Sequence, residues 1–266
     1  MLKLSFPLPP CVVPNASFSD RLVDRLAQAA RVTVLTGAGT SAESGIPTFR
    51  DPDGLWEQFD PQELANVHAF LENPALVQGW YAHRRKLAQD TEPNPAHHAL
   101  AQLEQHLDRF TLVTQNVDNL HQRAGSDDVV ELHGNITRNH CIDCDRPASD
   151  DEMKAIAEGE PARCPACDGY IRPDVVWFGE MLPQEALQRA QEAATQAEVF
   201  LSVGTSAVVH PAAGLPLTAQ QHGAYLVEVN IEDTALTDTA NEILRGQAGE
   251  VLPPLAEAVA TRRSTA

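Results

Sequence analysis

The chain has 266 residues, enough to bury a substantial core in one large domain or in a large and a small one. Its formal net charge of −18 disfavours a broad, sequence-independent grip on nucleic acid or on an anionic membrane. No apolar run approaches the roughly 18 residues of a membrane span, and prolines interrupt the N-terminal stretch where a signal peptide would be continuously apolar. We therefore expect a cytoplasmic protein that binds neither nucleic acid nor membrane.

The first regular elements are predicted after an irregular arm at residues 1–18. Ser19 is a typical N-cap residue, and a helical pattern runs from it to about Ala30. The apolar residues 32–35 then predict a buried parallel strand. Gly37 and Gly39 follow, where a tight turn lets a ligand approach the backbone and the next helix start can bind phosphate. A simple strand-to-helix turn is the alternative, because the third glycine is displaced from the usual dinucleotide fingerprint.

Short apolar strands and helical segments alternate through the rest of the chain. Helices are predicted within 55–108, at 185–196 and at 254–260, and strands at 110–114, 129–132, 175–178, 199–203 and 225–229. This alternation predicts an α/β fold with an open parallel sheet. Because such sheets bind ligands at the carboxyl ends of their strands, the polar residues directly after the strands are candidate site residues. They are Gln115, Asn116, Asp118, His133, Gly204, Thr205, Ser206 and Asn230.

Four cysteines have the spacing Cys141-x2-Cys144-x19-Cys164-x2-Cys167, which is typical of a zinc site. Four thiolates fill a tetrahedral coordination sphere and leave no position for water, so we expect a structural zinc ion. Four unrelated buried cysteines, or a redox-active pair, are the alternatives. The paired spacing favours zinc over both, and the fifth cysteine, Cys11, is isolated.

His133 directly follows a predicted strand, where a neutral imidazole could act as a general base. A structural or surface role is the alternative, which its place at the ligand edge disfavours. His68, His97, His98 and His140 lack such a position, and we expect them to be structural or exposed. Asn116 and Asp118 lie in a strand-end loop, where capping of the loop backbone is the alternative to ligand binding. For Arg50, a surface ion pair is the alternative to binding an anion of the ligand.

The chain resembles the sirtuins, the NAD-dependent protein-lysine deacylases, over about residues 19–256. The matching motifs are the four cysteines and GAGTSAESGIPTFR (37–50), TQNVDNLHQRAG (114–125), ELHG (131–134), VVWFGE (175–180), GTSAVVHPA (204–212) and VEVN (227–230). The resemblance implies a Rossmann-like NAD-binding domain formed by residues 19–45, 109–137 and 173–266. A small domain would be formed by a helical insertion at 46–108 and a zinc-ribbon insertion at 138–172.

The resemblance also implies residue roles. His133 would be the general base, and the four cysteines would hold one structural Zn²⁺. The phosphates of NAD would be bound by Gly37, Ala38, Gly39 and Ser41. The nicotinamide and its ribose would be bound by Ile46, Gln115, Asn116 and Asp118. The adenosine half would be bound by Gly204, Thr205, Ser206, Asn230 and Ala248. Thr48, Phe49 and Arg50 would belong to the cofactor loop. Trp177, Phe178 and Gly179 would border the tunnel for the acyl-lysine.

The implied reaction begins when the acyl oxygen attacks C1′ of the nicotinamide ribose and expels nicotinamide. His133 then activates a ribose hydroxyl that attacks the resulting imidate. Hydrolysis gives free lysine, nicotinamide and 2′-O-acyl-ADP-ribose. The expected partners are acylated-lysine proteins or peptides, and we expect the protein to be a monomer.

The subtype depends on Tyr81 and Arg84, whose spacing places them on one face of a predicted helix. Together with Ala65, 16 residues before Tyr81, they are similar to the acyl pocket of bacterial desuccinylase-type (class III) sirtuins. A solvated basic patch formed by Arg84, Arg85 and Lys86 is the alternative. We expect removal of succinyl or malonyl groups, with deacetylation as a second activity. The competing functions are a plain lysine deacetylase, a protein ADP-ribosyltransferase, a zinc-ribbon scaffold or nucleic-acid module, and a dehydrogenase.

Overall fold

The computed structural model describes residues 18–47, 64–149, 151–154 and 160–265. The strands are β1 (Val32–Thr36), β2 (Phe110–Thr114), β3 (Val129–Glu131), β4 (Gly134–Cys141), β5 (Ile171–Val175), β6 (Val199–Val203), β7 (Tyr225–Asn230) and β8 (Glu242–Arg245). The α-helices are α1 (Asp20–Gln28), α2 (Ala38–Ala42), α3 (Val67–Glu72), α4 (Pro74–Asp90), α5 (Pro95–His106), α6 (Leu120–Arg123), α7 (Gln184–Gln196), α8 (Leu215–Gln221) and α9 (Ala248–Ser264). Among these described helices, none combines the length and the apolar character that a membrane span requires.

Six strands form a parallel sheet in the order β3-β2-β1-β6-β7-β8, which confirms the predicted fold class. Successive residues of β1 face opposite sides: Val34 packs into a core with α1, α5 and α9, and Leu35 packs into a second core with α7 and α8. Both faces of the sheet are therefore covered by helices, as parallel sheets require.

The strand register brings the predicted ligand edge together. Thr36 at the end of β1 lies opposite Thr114 of β2 and Val203 of β6, and Val203 lies opposite Val229 of β7. The chain moves outward from β1 in one direction through β2 and β3, and from β6 in the other direction through β7 and β8. The strand order thus reverses between β1 and β6, which is where open α/β sheets form a ligand crevice.

Helix α1 begins as predicted, with the Ser19 hydroxyl accepting the Leu22 amide at 3.1 Å. The last helix differs from the prediction at 254–260, because α9 starts at Ala248 and contains Pro253 and Pro254. These prolines remove amide donors from the helix, yet buried residues on both sides of them, such as Leu252 and Leu255, keep the segment packed in the core. The sequence predicted that the helix would start at Pro254, but tertiary packing extends it back to Ala248.

Strands β4 and β5 form an antiparallel hairpin that carries the four cysteines, with Cys141 at the end of β4 and the other three in the segment between the strands. Helix α4 packs against it through Gln78, whose side-chain amide is buried. Its Nε2 donates to the carbonyls of Ala162 at 3.1 Å and Ile171 at 2.7 Å, and its Oε1 accepts the Ala162 amide at 2.8 Å. One side chain on α4 is therefore bonded to the first residue of β5 and to Ala162 in the segment that precedes it.

Candidate active site

The turns after β1 and β6 pack backbone to backbone. The Gly39 amide donates to the Gly204 carbonyl at 2.8 Å, and the Gly37 amide donates to the Val203 carbonyl at 3.0 Å. A Cβ atom on Gly37 would lie 2.8 Å from the Gly204 oxygen, closer than side chains tolerate. Close approach of the two turns at the switch point therefore requires glycine at position 37.

Gly204→Ala tests this packing. Gly204 has φ of +58°, and its Cβ would lie 2.4 Å from the Thr40 amide nitrogen. The left-handed conformation alone costs about 1–2 kcal/mol, so we expect the melting temperature to fall by roughly 2–8 °C and NAD to stabilise the variant less. Differential scanning fluorimetry with and without NAD measures both effects. Gly79→Ala is the matched control, because Gly79 lies in α4 with nothing near its Cβ, and there alanine should leave or raise stability. Equal behaviour of the two variants would contradict the packing argument.

A hydrogen-bond network joins Asn116 and Asp118, predicted at the nicotinamide, to Ser41, predicted at the phosphates. The Ser41 hydroxyl on α2 donates to Asp118 Oδ2 at 2.7 Å and accepts from Asn116 Nδ2 at 3.0 Å. Asn116 Nδ2 also donates to the Gly37 carbonyl at 3.0 Å, and Asp118 Oδ1 accepts the Leu120 amide at 3.0 Å. Burial raises the pKa of Asp118 despite these donors. The side-chain carbonyl of Asn116 and the carboxylate of Asp118 are thus held in fixed positions, where they can accept hydrogen bonds from an amide.

His97 belongs to the same network, although the sequence predicted a structural or exposed side chain. It is fully buried, and its Nδ1 accepts the Asn94 amide at 3.2 Å, so the proton lies on Nε2, which is 3.4 Å from Ser41 Oγ. Burial lowers the pKa of His97 to about 4, which keeps the ring neutral. Asn94 caps α5 and also donates to the Thr40 carbonyl at 2.8 Å, which fixes the position of α5 against α2. The Asn-Pro-x-His pattern at 94–97 was the available sequence signal.

His133 lies at the end of β3 and is half-buried. Its Nδ1 is 2.9 Å from the Gln115 carbonyl oxygen. A carbonyl can only accept, so Nδ1 carries the proton and the basic lone pair is on Nε2, which has no partner among the described residues. Burial lowers the pKa of His133, with the hydrogen bond to Gln115 opposing that shift. The imidazole is therefore neutral near pH 7 and oriented by a fixed backbone group.

The other side of the switch point is organised around Thr205. Its hydroxyl accepts from Gln115 Nε2 at 3.0 Å, and its carbonyl accepts from Asn230 Nδ2 at 2.9 Å. The Gly246 amide donates to the Asn230 carbonyl at 3.1 Å, two residues before Ala248 begins α9. The ends of β2, β6 and β7 are thereby bonded into one polar surface. Ser206 follows Thr205 on this edge, and Ile46 follows α2, its amide 3.4 Å from the Ser41 carbonyl.

Several predicted acyl-pocket residues lie together in one hydrophobic cluster. Tyr81 and Trp177 are buried in one cluster with Ala65, and Trp177 Nε1 donates to the Tyr81 hydroxyl oxygen at 2.9 Å. The Phe178 amide donates to the Ala65 carbonyl at 2.9 Å, and Gly179 follows with φ of +88°. The Arg84 guanidinium carbon lies 5.3 Å from the centroid of the Tyr81 ring. Residues that are far apart in the sequence are thus brought together in one cluster.

The four cysteines form the metal site that their spacing predicted. All four Sγ atoms lie within 4.8 Å of one another, with the Cys141–Cys167 and Cys144–Cys164 pairs at 3.4 and 3.8 Å. A disulfide would need about 2.05 Å, whereas sulfurs around a tetrahedral zinc ion lie about 3.8 Å apart. Arg146 Nε donates to Cys164 Sγ at 3.4 Å, which favours the thiolate. The set fits a structural zinc ion with all four positions filled by protein.

Three predicted cofactor residues, Thr48, Phe49 and Arg50, lie outside the described residues.

Both the sequence and the fold of the chain are similar to those of known proteins. Residues 37–211 match the family model described as Sir2 family. The chain is 50% identical over 244 residues to NAD-dependent protein deacylase 2 of Pyrobaculum aerophilum, which covers 92% of this chain and 97% of the relative. A solved complex of a Sir2 homolog with NAD is 44% identical with a TM-score of 0.87, covering 93% of this chain and 96% of that one. A Sir2 variant solved with deacetylated p53 peptide and 3′-O-acetyl ADP ribose is 34% identical with a TM-score of 0.79, covering 91% and 97%.

Proposed function

The chain belongs to the Sir2 family and is an NAD-dependent protein deacylase, and from this premise we propose that it prefers lysines carrying short acidic acyl groups. Succinyl- and malonyl-lysine are the expected substrates, with acetyl-lysine as a second substrate. The observation that carries the proposal is the pairing of Tyr81 with Arg84 on one face of α4, against Trp177. A pocket for acetyl alone has no need of a cation at this depth.

Charge supports this proposal. The Arg84 guanidinium is half-buried among aromatic rings, with its central carbon 4.7 Å from the centroid of Trp80 and 5.3 Å from that of Tyr81. Burial lowers the pKa of Arg84, and the neighbouring Tyr81 opposes that shift. A cation in low-dielectric surroundings interacts strongly with an anion that reaches it, and a guanidinium matches the two oxygens of a carboxylate.

The hydrogen-bonding capacity of Tyr81 points the same way. Its oxygen already accepts the indole N–H of Trp177. Indole and guanidinium groups are donors only, so neither can accept the Tyr81 proton. Burial raises the pKa of Tyr81, so the phenol keeps that proton at neutral pH. The hydroxyl is thus available as a donor to an acceptor group such as an acyl carboxylate.

Ala65 supplies the space. It is buried beside Tyr81 and Trp177, and its carbonyl accepts the Phe178 amide at 2.9 Å. A side chain longer than a methyl group at this position would extend into the cluster that contains Tyr81. A small residue here favours an acyl group larger than acetyl, such as malonyl or succinyl, which have three and four more heavy atoms.

The catalytic roles proposed for this chain follow from its strand ends. His133, neutral and held by Gln115, would act as the general base through Nε2. Asn116 and Asp118 would bind the carboxamide of nicotinamide, with Ser41 fixing both side chains. NAD, when bound, supplies the ribose carbon to which the acyl oxygen is transferred. The polar surface around Thr205 and Asn230 would hold the adenosine half.

Arg84→Met tests the acyl preference. Methionine keeps an unbranched apolar side chain but removes a charge-assisted contact of roughly 1.5–3 kcal/mol, so kcat/KM for succinyl-lysine should fall about 10- to 150-fold. The value for acetyl-lysine in the same peptide should stay within about threefold. Nicotinamide release from matched succinyl and acetyl peptides measures both.

Lys86→Met is the matched control for Arg84→Met, because Lys86 is an exposed cation on the same helix that pairs with Asp90 at 2.9 Å. It should change neither activity. Wild-type protein that turns over acetyl-lysine faster than succinyl-lysine would identify a plain deacetylase, and equal losses on both peptides in Arg84→Met would assign Arg84 a structural role.

A further inference from the structure

We propose that Trp177 selects the acyl group by positioning Tyr81, and that the ion pair between Arg172 and Glu180 holds Trp177 for this purpose. The inference rests on the acidic-acyl preference proposed above. It assigns a hydrogen-bonding role to a residue otherwise expected only to border the tunnel. It also connects the acyl pocket to β5, the strand that leads out of the cysteine-bearing hairpin.

The first step is the bond between indole and phenol. Trp177 Nε1 lies 2.9 Å from the Tyr81 oxygen, and both side chains are at most 2% exposed. A phenol hydroxyl can rotate about its C–O bond, and the indole donor occupies one side of the oxygen. The Tyr81 proton must then point away from Trp177. The indole therefore restricts the direction in which Tyr81 donates, which favours an acceptor group in the pocket.

The second step is how the indole itself is held. The Arg172 guanidinium carbon lies 3.7 Å from the centroid of the Trp177 ring, in stacking distance. Arg172 is 7% exposed and forms a two-pronged ion pair with Glu180, Nη1 to Oε1 at 2.5 Å and Nη2 to Oε2 at 2.8 Å. Glu180 Oε2 also accepts the Trp177 backbone amide at 2.8 Å. The carboxylate thus fixes the Trp177 backbone while the guanidinium fixes its ring.

The third step concerns energy. The ion pair holds Glu180 ionised, because the Arg172 hydrogen bond and the Trp177 amide lower the Glu180 pKa against its burial. Lysine could not replace Arg172, since an ammonium has neither the planar face for stacking nor the fork for both carboxylate oxygens. This arrangement fixes Trp177 at the cost of burying the charge of Arg172 beside a half-buried carboxylate, a cost consistent with a need for one direction of the indole N–H.

The consequence differs between substrates. An acetyl group ends in a methyl and makes no use of the Tyr81 proton, whereas a succinyl carboxylate would accept it. Loss of the indole N–H should therefore penalise the acidic substrate selectively. A purely structural role for Trp177 would instead penalise both substrates to the same extent, because it would disturb the pocket wall that they share.

The test is a double-mutant cycle with Trp177→Phe and Tyr81→Phe, each assayed with succinyl- and acetyl-lysine in one peptide. Phenylalanine keeps an aromatic face for Arg172 and removes only the N–H donor and one ring. Because Trp177 borders the tunnel for both substrates, both activities can fall, but we expect Trp177→Phe to lower kcat/KM for succinyl-lysine about tenfold more than for acetyl-lysine, the effect of one hydrogen bond in a buried site. In the Tyr81→Phe background, Trp177→Phe should cause less than about a twofold further loss of succinyl preference, because the partner oxygen is gone.

The outcomes separate the inference from the proposed function. A wild-type enzyme without a preference for succinyl-lysine would overturn both. A wild-type preference that Trp177→Phe leaves unchanged, or that falls by independent factors in the double mutant, would overturn this inference alone. If Trp177→Phe fails to fold, incorporation of 3-benzothienylalanine at position 177 replaces the N–H by sulfur in a ring of nearly the same shape. An unchanged succinyl preference in that variant would refute the role of the N–H.

Discussion

His133→Ala should lower the turnover of acyl-lysine peptides by about 10²–10⁴-fold, the usual contribution of a positioned general base. The geometry gives the reason. The His133 Nδ1–H donates to the Gln115 carbonyl, with 2.9 Å between nitrogen and oxygen, so the lone pair of Nε2 has a fixed direction. Alanine removes that lone pair without touching the glycine turns or the Thr205 surface. NAD should therefore still raise the melting temperature of the variant, which thermal scanning can measure beside nicotinamide release.

The pH dependence of the wild type follows from the same side chain. Burial lowers the pKa of His133 below its ordinary value of about 6.5, so the neutral, active form persists to lower pH. As pH falls through the lowered pKa, the imidazole gains a proton and kcat/KM should decline. The acid limb of the pH profile should thus lie below about pH 6.5.

His98→Ala is the matched control for His133→Ala, because His98 is exposed on α5, away from the strand ends. It should retain wild-type turnover. A His133→Ala variant that keeps more than about a tenth of wild-type turnover, with NAD-dependent stabilisation intact, would assign the base to another group.

Zinc removal should have the largest effect on stability. Structural zinc sites of four thiolates contribute on the order of 10 kcal/mol to folding, and here two of the ligands, Cys141 and Cys164, are buried inside the hairpin. Incubation with a strong chelator should release one zinc ion per chain and abolish near-ultraviolet dichroism from that region. Turnover should be lost in parallel, because Arg172 on β5 and Gln78 on α4 connect the hairpin to the pocket.

Cys164→Ser should reproduce the chelated state, whereas Cys11→Ser should bind one zinc ion and keep full activity, since Cys11 does not belong to the Cys-x2-Cys…Cys-x2-Cys spacing. Atomic emission gives the zinc content of each protein. A metal-free protein with unchanged melting temperature and turnover would contradict a structural role for the ion.

Much of the sheet and of its ligand edge could be predicted because the signals are local. Residues 32–35 and 110–114 are short apolar runs with polar residues directly after them, and parallel strands place such residues on one edge whatever the loops do between them. The cysteine spacing is likewise a local signal, because two Cys-x2-Cys pairs are by themselves typical of a tetrahedral metal site. The Tyr81–Arg84 separation needed only a helix, which α4 provides.

The residues that sequence reasoning missed act over long separations. His97 approaches Ser41 from 56 residues away, and Gln78 reaches the Ala162 carbonyl from 84 residues away. Neither contact leaves a periodic pattern. Strand β8 was also missed, because its four residues include only one buried apolar side chain, Leu244. Helix α9 is longer than predicted for a related reason, because its packing against α5 outweighs the effect of the two prolines. Such packing partners cannot be identified from the sequence of one segment alone.

The three hydrogen bonds of Gln78 have an evolutionary consequence. Gln78 fixes the rotation of α4 against the cysteine-bearing hairpin, and Tyr81 follows three residues later on the same helix. Each residue inserted or deleted between them would turn the tyrosine by about 100° around the helix axis. New acyl preferences can therefore arise on this scaffold by exchange of side chains at positions such as Ala65 and Arg84. They cannot arise by insertion or deletion between Gln78 and Tyr81, because these residues must keep their spacing for the helix to serve both contacts.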